Sequence, residues 1–270
     1  EHEKEPALRR KYYAHALSGL RQAAMFRERA RIGSREAYDR LYRESLDAPE
    51  AFWRRETSSI VFRSPWTKLA TWEVPHARWF EDATLNVTET CLDRHLATPT
   101  KNKAAIIWEG EHGEVRTWTY GQLHREVVRC ASALLELGVQ QGDRVAIYMG
   151  MVPEVAVAML ACARIGATHS VVFGGFAAEA LRDRINDCGA KLVITQDGAW
   201  RRGQVVPLKE TTDKAVAQCA SVERVLVYRH VGHEKAPIEM LAGRDVDWAD
   251  ALARAGHAGR DAVAVPAEHP

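Results

Sequence analysis

The sequence predicts an α/β fold: a helical and irregular N-terminal extension followed by a doubly wound, mostly parallel sheet. Three observations point there. Short apolar runs ("DRVAIYM", "THSVVF", "KLVIT", "RVLVY") alternate with helix-periodic segments across residues 104–228, which is the rhythm of βαβ units. Val145 and Ile147 sit in a nearly continuous apolar run, as a strand covered on both faces requires. Upstream of residue 100 the rhythm differs, helical at first and then irregular and aromatic-rich.

Taken in order, residues 1–33 are Arg- and Ala-rich with no clear apolar stripe and read as a flexible or loosely helical arm. Residues 34–100 read as an N-terminal extension. Ser34 is placed to cap a helix carrying Tyr38, Leu41, Tyr42 and Leu46 on one face. Asp47 with Glu50 matches a capping box around Pro49, opening a second short helix with Phe52 and Trp53. From Val61 to Leu85 the chain reads as irregular, with Phe62, Trp66, Trp72, Trp79 and Phe80 expected to bury their rings on a larger body.

Residues 101–270 read as the first α/β subdomain. "AAIIWEG" and "EVRTWTY" form a hairpin about Glu111-His112-Gly113. Thr119 with Gln122 makes a capping box that opens a helix ending at Gly138. Strand "DRVAIYM" follows, then a helix from Pro153 to Gly166, strand "THSVVF", helix "AAEALRDRIND", strand "KLVIT", helix "PLKETTDKAVAQCA" and strand "RVLVY". Residues 229–270 are polar and Ala-rich.

Composition narrows the function classes. Hydrophobic residues make up 46% of 270, enough for a sizeable core. Lys+Arg is 37 and Asp+Glu is 36, a net charge of +1, which argues against a nucleic-acid-binding surface. The five cysteines are scattered with no C-x-x-C pair, so free thiols in a reducing cytoplasm are expected, without a disulfide framework or zinc site. The longest apolar stretch, near Val155–Cys162, is too short to span a bilayer. The charged start has no signal-peptide core, and the missing initiator Met suggests a processed or trimmed chain.

Function is expected where an open α/β sheet binds ligands, outside the carboxyl ends of its strands. Two loops lie there. One is Gly174-Gly175, where glycine permits a sharp turn and also lets a ligand approach bare backbone. The other is "QDGAWRRGQ", Gln196 to Gln204. One βα unit separates them, so both can face one crevice. Arg201 and Arg202 offer donors suited to phosphate. The pattern fits an extended anionic ligand, its neutral part on glycine backbone and its charged end on arginine. A plain turn beside solvated arginines fits the same residues.

Familiar catalytic motifs are absent: no G-x-x-x-x-G-K-[ST], no G-x-G-x-x-G, no G-x-S-x-G and no H-E-x-x-H. His112, His169 and His230 read as surface or satisfied loop residues rather than metal ligands. Asp183 and Asp187 read as a solvated helix face.

The segments "LNVTETCLDRHL", "KAAIIWEGEHGEVRTWTYGQL", "GDRVAIYM", "VPEVAVAMLACARIGATHSVVFGGF" and "RINDCGAKLVITQDG" resemble the N-terminal region of the AMP-forming acetyl-CoA synthetases, within the acyl-adenylating superfamily. "REAYDRLYRESLDAPEAFW" and "PWTKL" resemble that family's N-terminal extension. The resemblance runs from about residue 34 to 228. It implies part of the large N-terminal domain of an acyl-adenylating enzyme. The implied activity is acetate–CoA ligation with ATP, Mg2+ and CoA: acetate attacks the α-phosphate, pyrophosphate leaves, and the CoA thiol then displaces AMP. It further implies that Phe173, Gly174 and Gly175 lie along pantetheine, and that Arg201, Arg202, Gly203 and Gln204 meet the nucleotide end of CoA. Gln204 stands where the family usually carries Arg or Lys. Gly150 replaces a usual proline, which is expected to loosen the strand exit. The family's phosphate loop, acetate pocket, hinge and C-terminal lysine have no counterpart here. The resemblance therefore implies an N-terminal fragment with no catalytic or metal residues of its own, inactive by itself. A ligase for propionate or another short acid, and a non-catalytic CoA- or nucleotide-binding module, are the alternatives.

Overall fold

The computed structural model describes residues 24–26, 28–256, 259 and 261–270. Most of the expected 1–33 arm, residues 1–23, lies outside them. The chain divides into two compact units, one ending at Ser59 and one spanning Ile60–Pro270.

In the first unit, Ser34 accepts from the Ala37 amide at 3.1 Å and starts α1 (Arg35–Asp47). Its Tyr38, Tyr42 and Leu46 are exposed, and the two tyrosine rings stack with centroids 6.2 Å apart. The expected Asp47–Glu50 capping box does not form. Asp47 is the last residue of α1, so Ala48 becomes the N-cap of α2 (Pro49–Glu56) and has no side-chain oxygen to offer.

The second unit opens with more order than the sequence suggested. The segment read as irregular contains β1 (Phe62–Ser64), β2 (Lys68–Glu73), β3 (His76–Glu81) and β4 (Thr84–Leu85). Strands β2 and β3 form an antiparallel hairpin in which Glu73 pairs with His76 across Val74-Pro75. Its aromatics divide. Trp66 is buried; Phe62, Trp79 and Phe80 are half-buried; Trp72 is exposed. A two-stranded ribbon necessarily turns one face outward.

The expected hairpin is present as β5 (Ala104–Glu109) and β6 (Val115–Thr119). Thr119 and Gln122 exchange the two capping-box bonds, 3.2 and 2.8 Å long, and open α3 (Tyr120–Glu136). The helix ends where Gly138 takes φ +90°, and the amides of Gly138 and Val139 close on Leu135 and Leu134.

The central sheet is built from β7 (Arg144–Met149), β8 (Thr168–Phe173), β9 (Leu192–Gln196), β12 (Arg224–Tyr228) and β13 (Asp245–Asp247), in the order β13-β12-β9-β7-β8. Every pairing is parallel. Between them run α4 (Pro153–Arg164), α5 (Ala178–Cys188) and α6 (Leu208–Val216), and α7 (Trp248–Arg254) follows β13. Strand period two sorts the core into two faces. Val145, Ile147 and Met149 of β7 pack with α3, α4 and α7. Ala146 and Tyr148 pack with α5 and α6. The sheet is thus doubly wound, and β7 is enclosed on both faces and both edges.

The polar, Ala-rich tail holds elements its composition concealed. Asp247 caps α7 by accepting from the Ala249 and Asp250 amides at 2.9 and 3.3 Å. Strand β13, Asp-Val-Asp, joins the sheet because Lys209 and Arg244 neutralise the buried Asp245, with Lys209 Nζ 2.8 Å from its carboxylate. Val265–Pro266, β14, pairs with β4.

Candidate functional site

The fold leaves one cleft where doubly wound sheets bind ligands. Helix α4 leaves β7 toward one face, while α5 and α6 follow β8 and β9 on the other. The register aligns the strand ends, Met149 with Phe173 and Tyr148 with Thr195. Beyond them opens a cavity of about 550 Å³. Its floor is Met149-Gly150-Met151, Phe173-Gly174-Gly175 and Gln196.

Buried polar groups hold these exits in place. Gln196 is fully buried; its Oε1 accepts from the Gly150 amide at 3.0 Å and its Nε2 donates to the Gly198 carbonyl at 2.6 Å. A Cβ at Gly150 would lie 2.8 Å from the Ala199 Cβ. Gly150 therefore does not loosen the exit of β7. It supplies an N–H that proline lacks and room that a side chain would fill. The buried Asp197 carboxylate collects the amides of Gly198, His230, Val231 and Gly232 at 2.7–3.1 Å, which brings the segment after β12 to the cleft rim. There, burial lowers the His230 imidazole pKa despite the nearby Asp197 charge.

Gly174 and Gly175 are required for space rather than for backbone conformation. Neither is among the positive-φ glycines. A Cβ on Gly174 would meet the Met149 carbonyl oxygen at 3.0 Å, and one on Gly175 would meet Arg201 Nη1 at 2.5 Å and Phe173 Cε1 at 2.7 Å. The Tyr148 hydroxyl donates to the Phe176 carbonyl at 2.7 Å, which fixes this turn from beneath.

"QDGAWRRGQ" is not a loop but a small hairpin, β10 (Ala199–Arg201) and β11 (Gln204–Val206). Arg202 at φ 53° and Gly203 at φ 75° form its two-residue turn, as a tight hairpin with the strand twist requires. The Arg201 guanidinium lies 5.3 Å from the Phe173 ring centroid, so the two loops flagged in the sequence do meet. Phe173, Gly174, Gly175 and Arg201 line the cavity; Arg202, Gly203 and Gln204 are exposed at the hairpin tip and do not.

Sequence reasoning missed the opposite wall. It consists of Trp108, Glu109, Gly110 and Glu111 from the β5–β6 hairpin, with His230; Trp200, beside Arg201 on β10, lines the cavity as well. The hairpin was legible; its position was not. That position is set by long-range bonds: Trp108 Nε1 donates to the Met151 carbonyl at 2.6 Å, and Arg116 grips Glu154 with two bonds of 2.8 Å while stacking on Trp108 at 4.7 Å. Glu154 lies in the first turn of α4, where a carboxylate suits the helix dipole.

Of the histidines, His112 is exposed with its ring edge-on to Trp200, centroids 4.3 Å apart. His169 lies on β8, and its buried Nδ1 has no hydrogen-bond partner, so it is neither a surface nor a satisfied loop residue. Burial lowers its pKa. Asp183 and Asp187 are exposed on α5 as expected. Among the described residues no cluster of three or more His, Cys, Asp or Glu is arranged to hold a metal ion. Nor is any helix long and apolar enough to cross a membrane. Chemically, the cleft suits a slender ligand with an uncharged body against Gly174-Gly175 and an anionic end near Arg201.

Comparison with known proteins bears on the family. Residues 92–268 match the family model described as AMP-binding enzyme, and residues 38–91 match that of the acetyl-coenzyme A synthetase N-terminus. The acetyl-coenzyme A synthetase of Gemmatimonas aurantiaca is 54% identical over 78% of this chain and 33% of its own length. That of Deinococcus radiodurans is 45% identical over 95% of this chain and 39% of its own. In structure, the chain is similar to acetoacetyl-CoA synthetase from Streptomyces lividans, with a TM-score of 0.77, 27% identity, and coverage of 93% of this chain and 38% of that one. The chain thus spans about a third of the length of the relatives it matches. A doubly wound sheet with a glycine-floored cleft at its switch point, joined to these matches across both segments, places the chain in the AMP-binding enzyme family, in its acetyl-coenzyme A synthetase branch.

Proposed function

We propose that this chain forms the CoA-receiving subdomain of an acetate–CoA ligase that uses ATP and Mg2+. In the overall reaction an acetate oxygen attacks the α-phosphorus of ATP and pyrophosphate leaves. The CoA thiol then attacks the acyl carbon, loses its proton, and AMP departs. The part assigned to this chain is the second substrate. Pantetheine lies against Gly174 and Gly175 beside Phe173, Arg201 pairs with a CoA phosphate, and Arg202, Gly203 and Gln204 border the nucleotide end. No residue here is assigned to ATP or Mg2+. The net charge of +1 and free cysteines fit small-molecule substrates and a cytoplasmic setting, without nucleic acid or membrane.

The observation that carries this reading is the meeting of Gly175 with Arg201 and Phe173 in one cleft, since such a floor admits a slender chain and ends in a guanidinium. Calorimetric titration of the chain with CoA tests it. Arg201→Ala should weaken CoA binding about tenfold, the worth of a charge-assisted hydrogen bond, and leave pantetheine binding unchanged. In a ligase containing this segment, acetate-dependent ATP–pyrophosphate exchange should survive the same change, because CoA takes no part in that half-reaction. Equal binding of CoA before and after Arg201→Ala would refute the assignment.

A further inference from the structure

Two hairpin turns face each other across the mouth of the cleft. One is the β5–β6 turn, Gly110 to Gly113; the other is the Arg202-Gly203 turn of β10–β11. They are clasped. The Gly203 amide donates to Glu111 Oε1, and the His112 ring stands edge-on to Trp200 at 4.3 Å, interplanar angle 75°. Lys235 Nζ lies 5.0 Å from the Trp200 ring centroid. The turn carrying Glu111 is well anchored at its base by the Trp108–Met151 and Arg116–Glu154 bonds. The other hairpin has three residue pairs in all and an exposed tip.

We infer that Glu111 is a specificity-determining residue, a resident anion at the turn that an incoming phosphorylated ligand must displace. The inference rests on the CoA reading above. A backbone N–H in a left-handed turn, preceded in the chain by Arg201 and Arg202, is a suitable donor for a phosphate oxygen. A protein carboxylate already holds it. Glu111 also lines the cavity, so its negative charge opposes any anion entering there and leaves an uncharged chain unaffected. A ligand that brings enough negative charge to win Gly203 and the arginines releases the clasp. One that lacks phosphate leaves it closed. Glu111 thereby sets how strongly the cleft distinguishes CoA from its unphosphorylated arm.

The test compares the chain with Glu111→Ala and Glu111→Gln. Titration with CoA should show tighter binding in both variants, about two- to fivefold, the size of an exposed charge interaction. Pantetheine should bind all three proteins alike. Without ligand, the Gly203 amide proton resonance should move upfield in Glu111→Ala, as expected when a carboxylate acceptor is lost. Unchanged or weaker CoA binding in both variants, or a Gly203 resonance that ignores Glu111, overturns the inference while the CoA site stands. Absence of CoA binding in the parent chain and both variants, with the Gly203 shift intact, overturns the CoA reading instead, and the displacement role falls with it.

Discussion

At the scale of single residues, the two glycines of the cleft floor differ in what crowds them. The Cβ of a residue 174 would press on the Met149 carbonyl oxygen, part of a central strand that cannot retreat. That of a residue 175 would press on the ends of the Arg201 and Phe173 side chains, which can swing away. Gly174→Ala should therefore cost stability, about 1–3 kcal/mol as overpacking does. Gly175→Val should leave the thermal midpoint nearly unchanged but weaken CoA binding by displacing the guanidinium. Melting curves and CoA titrations on both variants separate these outcomes; the reverse assignment of effects would contradict the packing argument. A second residue-scale prediction concerns Asp93. Burial raises its carboxyl pKa, but hydrogen bonds from His124 and the nearly fully buried Arg164 outweigh that and hold it well below the usual range. Its pKa is lower folded than unfolded. Its contribution is then present in full well above the unfolded value of about 3.9 and is lost progressively as pH falls through that value toward the lower folded one. Asp93→Asn should unfold at lower urea than the parent at pH 6, with the gap narrowing toward pH 3. A gap independent of pH would mean that the carboxylate charge is not what Arg164 requires.

At the scale of elements, β7 decides the most. It pairs on one side with β8 and on the other with β9, contributes to both hydrophobic faces, and delivers Met149 and Gly150 to the cleft. Val145 is fully buried, among apolar groups that offer no partner to a charge. Val145→Asp should leave the chain unable to fold at neutral pH, since an unpaired buried carboxylate costs more than a domain's marginal stability allows. Circular dichroism and gel filtration of the expressed variant report this directly; a soluble, cooperatively melting Val145→Asp protein would remove β7 from the sheet interior. By contrast, β8 has a strand partner on one side only and exposes Val171 and Phe173. Phe173 is thereby free to hold Arg201 instead of joining a core.

For the molecule as a whole, both hydrophobic clusters are contained within Ile60–Pro270, while α1 and α2 contain no fully buried residue. A chain of residues 60–270 should therefore fold cooperatively, with a melting midpoint within about 4 °C of the parent, the shift expected from roughly 1 kcal/mol in a domain of this size. Thermal unfolding followed by near-ultraviolet circular dichroism checks this. Loss of the cooperative transition on removing residues 1–59 would show that the core depends on them.

What the sequence determined by itself was whatever short-range chemistry controls. The period-two and period-3.6 patterns located β7, β8, β9 and β12 and the helices between them. Thr119 with Gln122 marked a helix start, and Gly138 and Gly166 marked helix ends, because caps are decided within one turn of chain. The two candidate loops were legible because ligand sites in such sheets follow the strand ends. Only the tertiary structure decided what depends on distant partners. Polar β13 became a strand because Lys209, 36 residues upstream of Asp245, neutralises it. The hairpin of Trp108 became a wall of the cleft because Arg116 reaches Glu154, 38 residues on. Gly174 and Gly175 proved to serve close approach, not turning, which no local pattern distinguishes: the atoms that a side chain there would meet first belong to Met149 at position 174 and to Arg201 at position 175, brought there by the winding of the sheet.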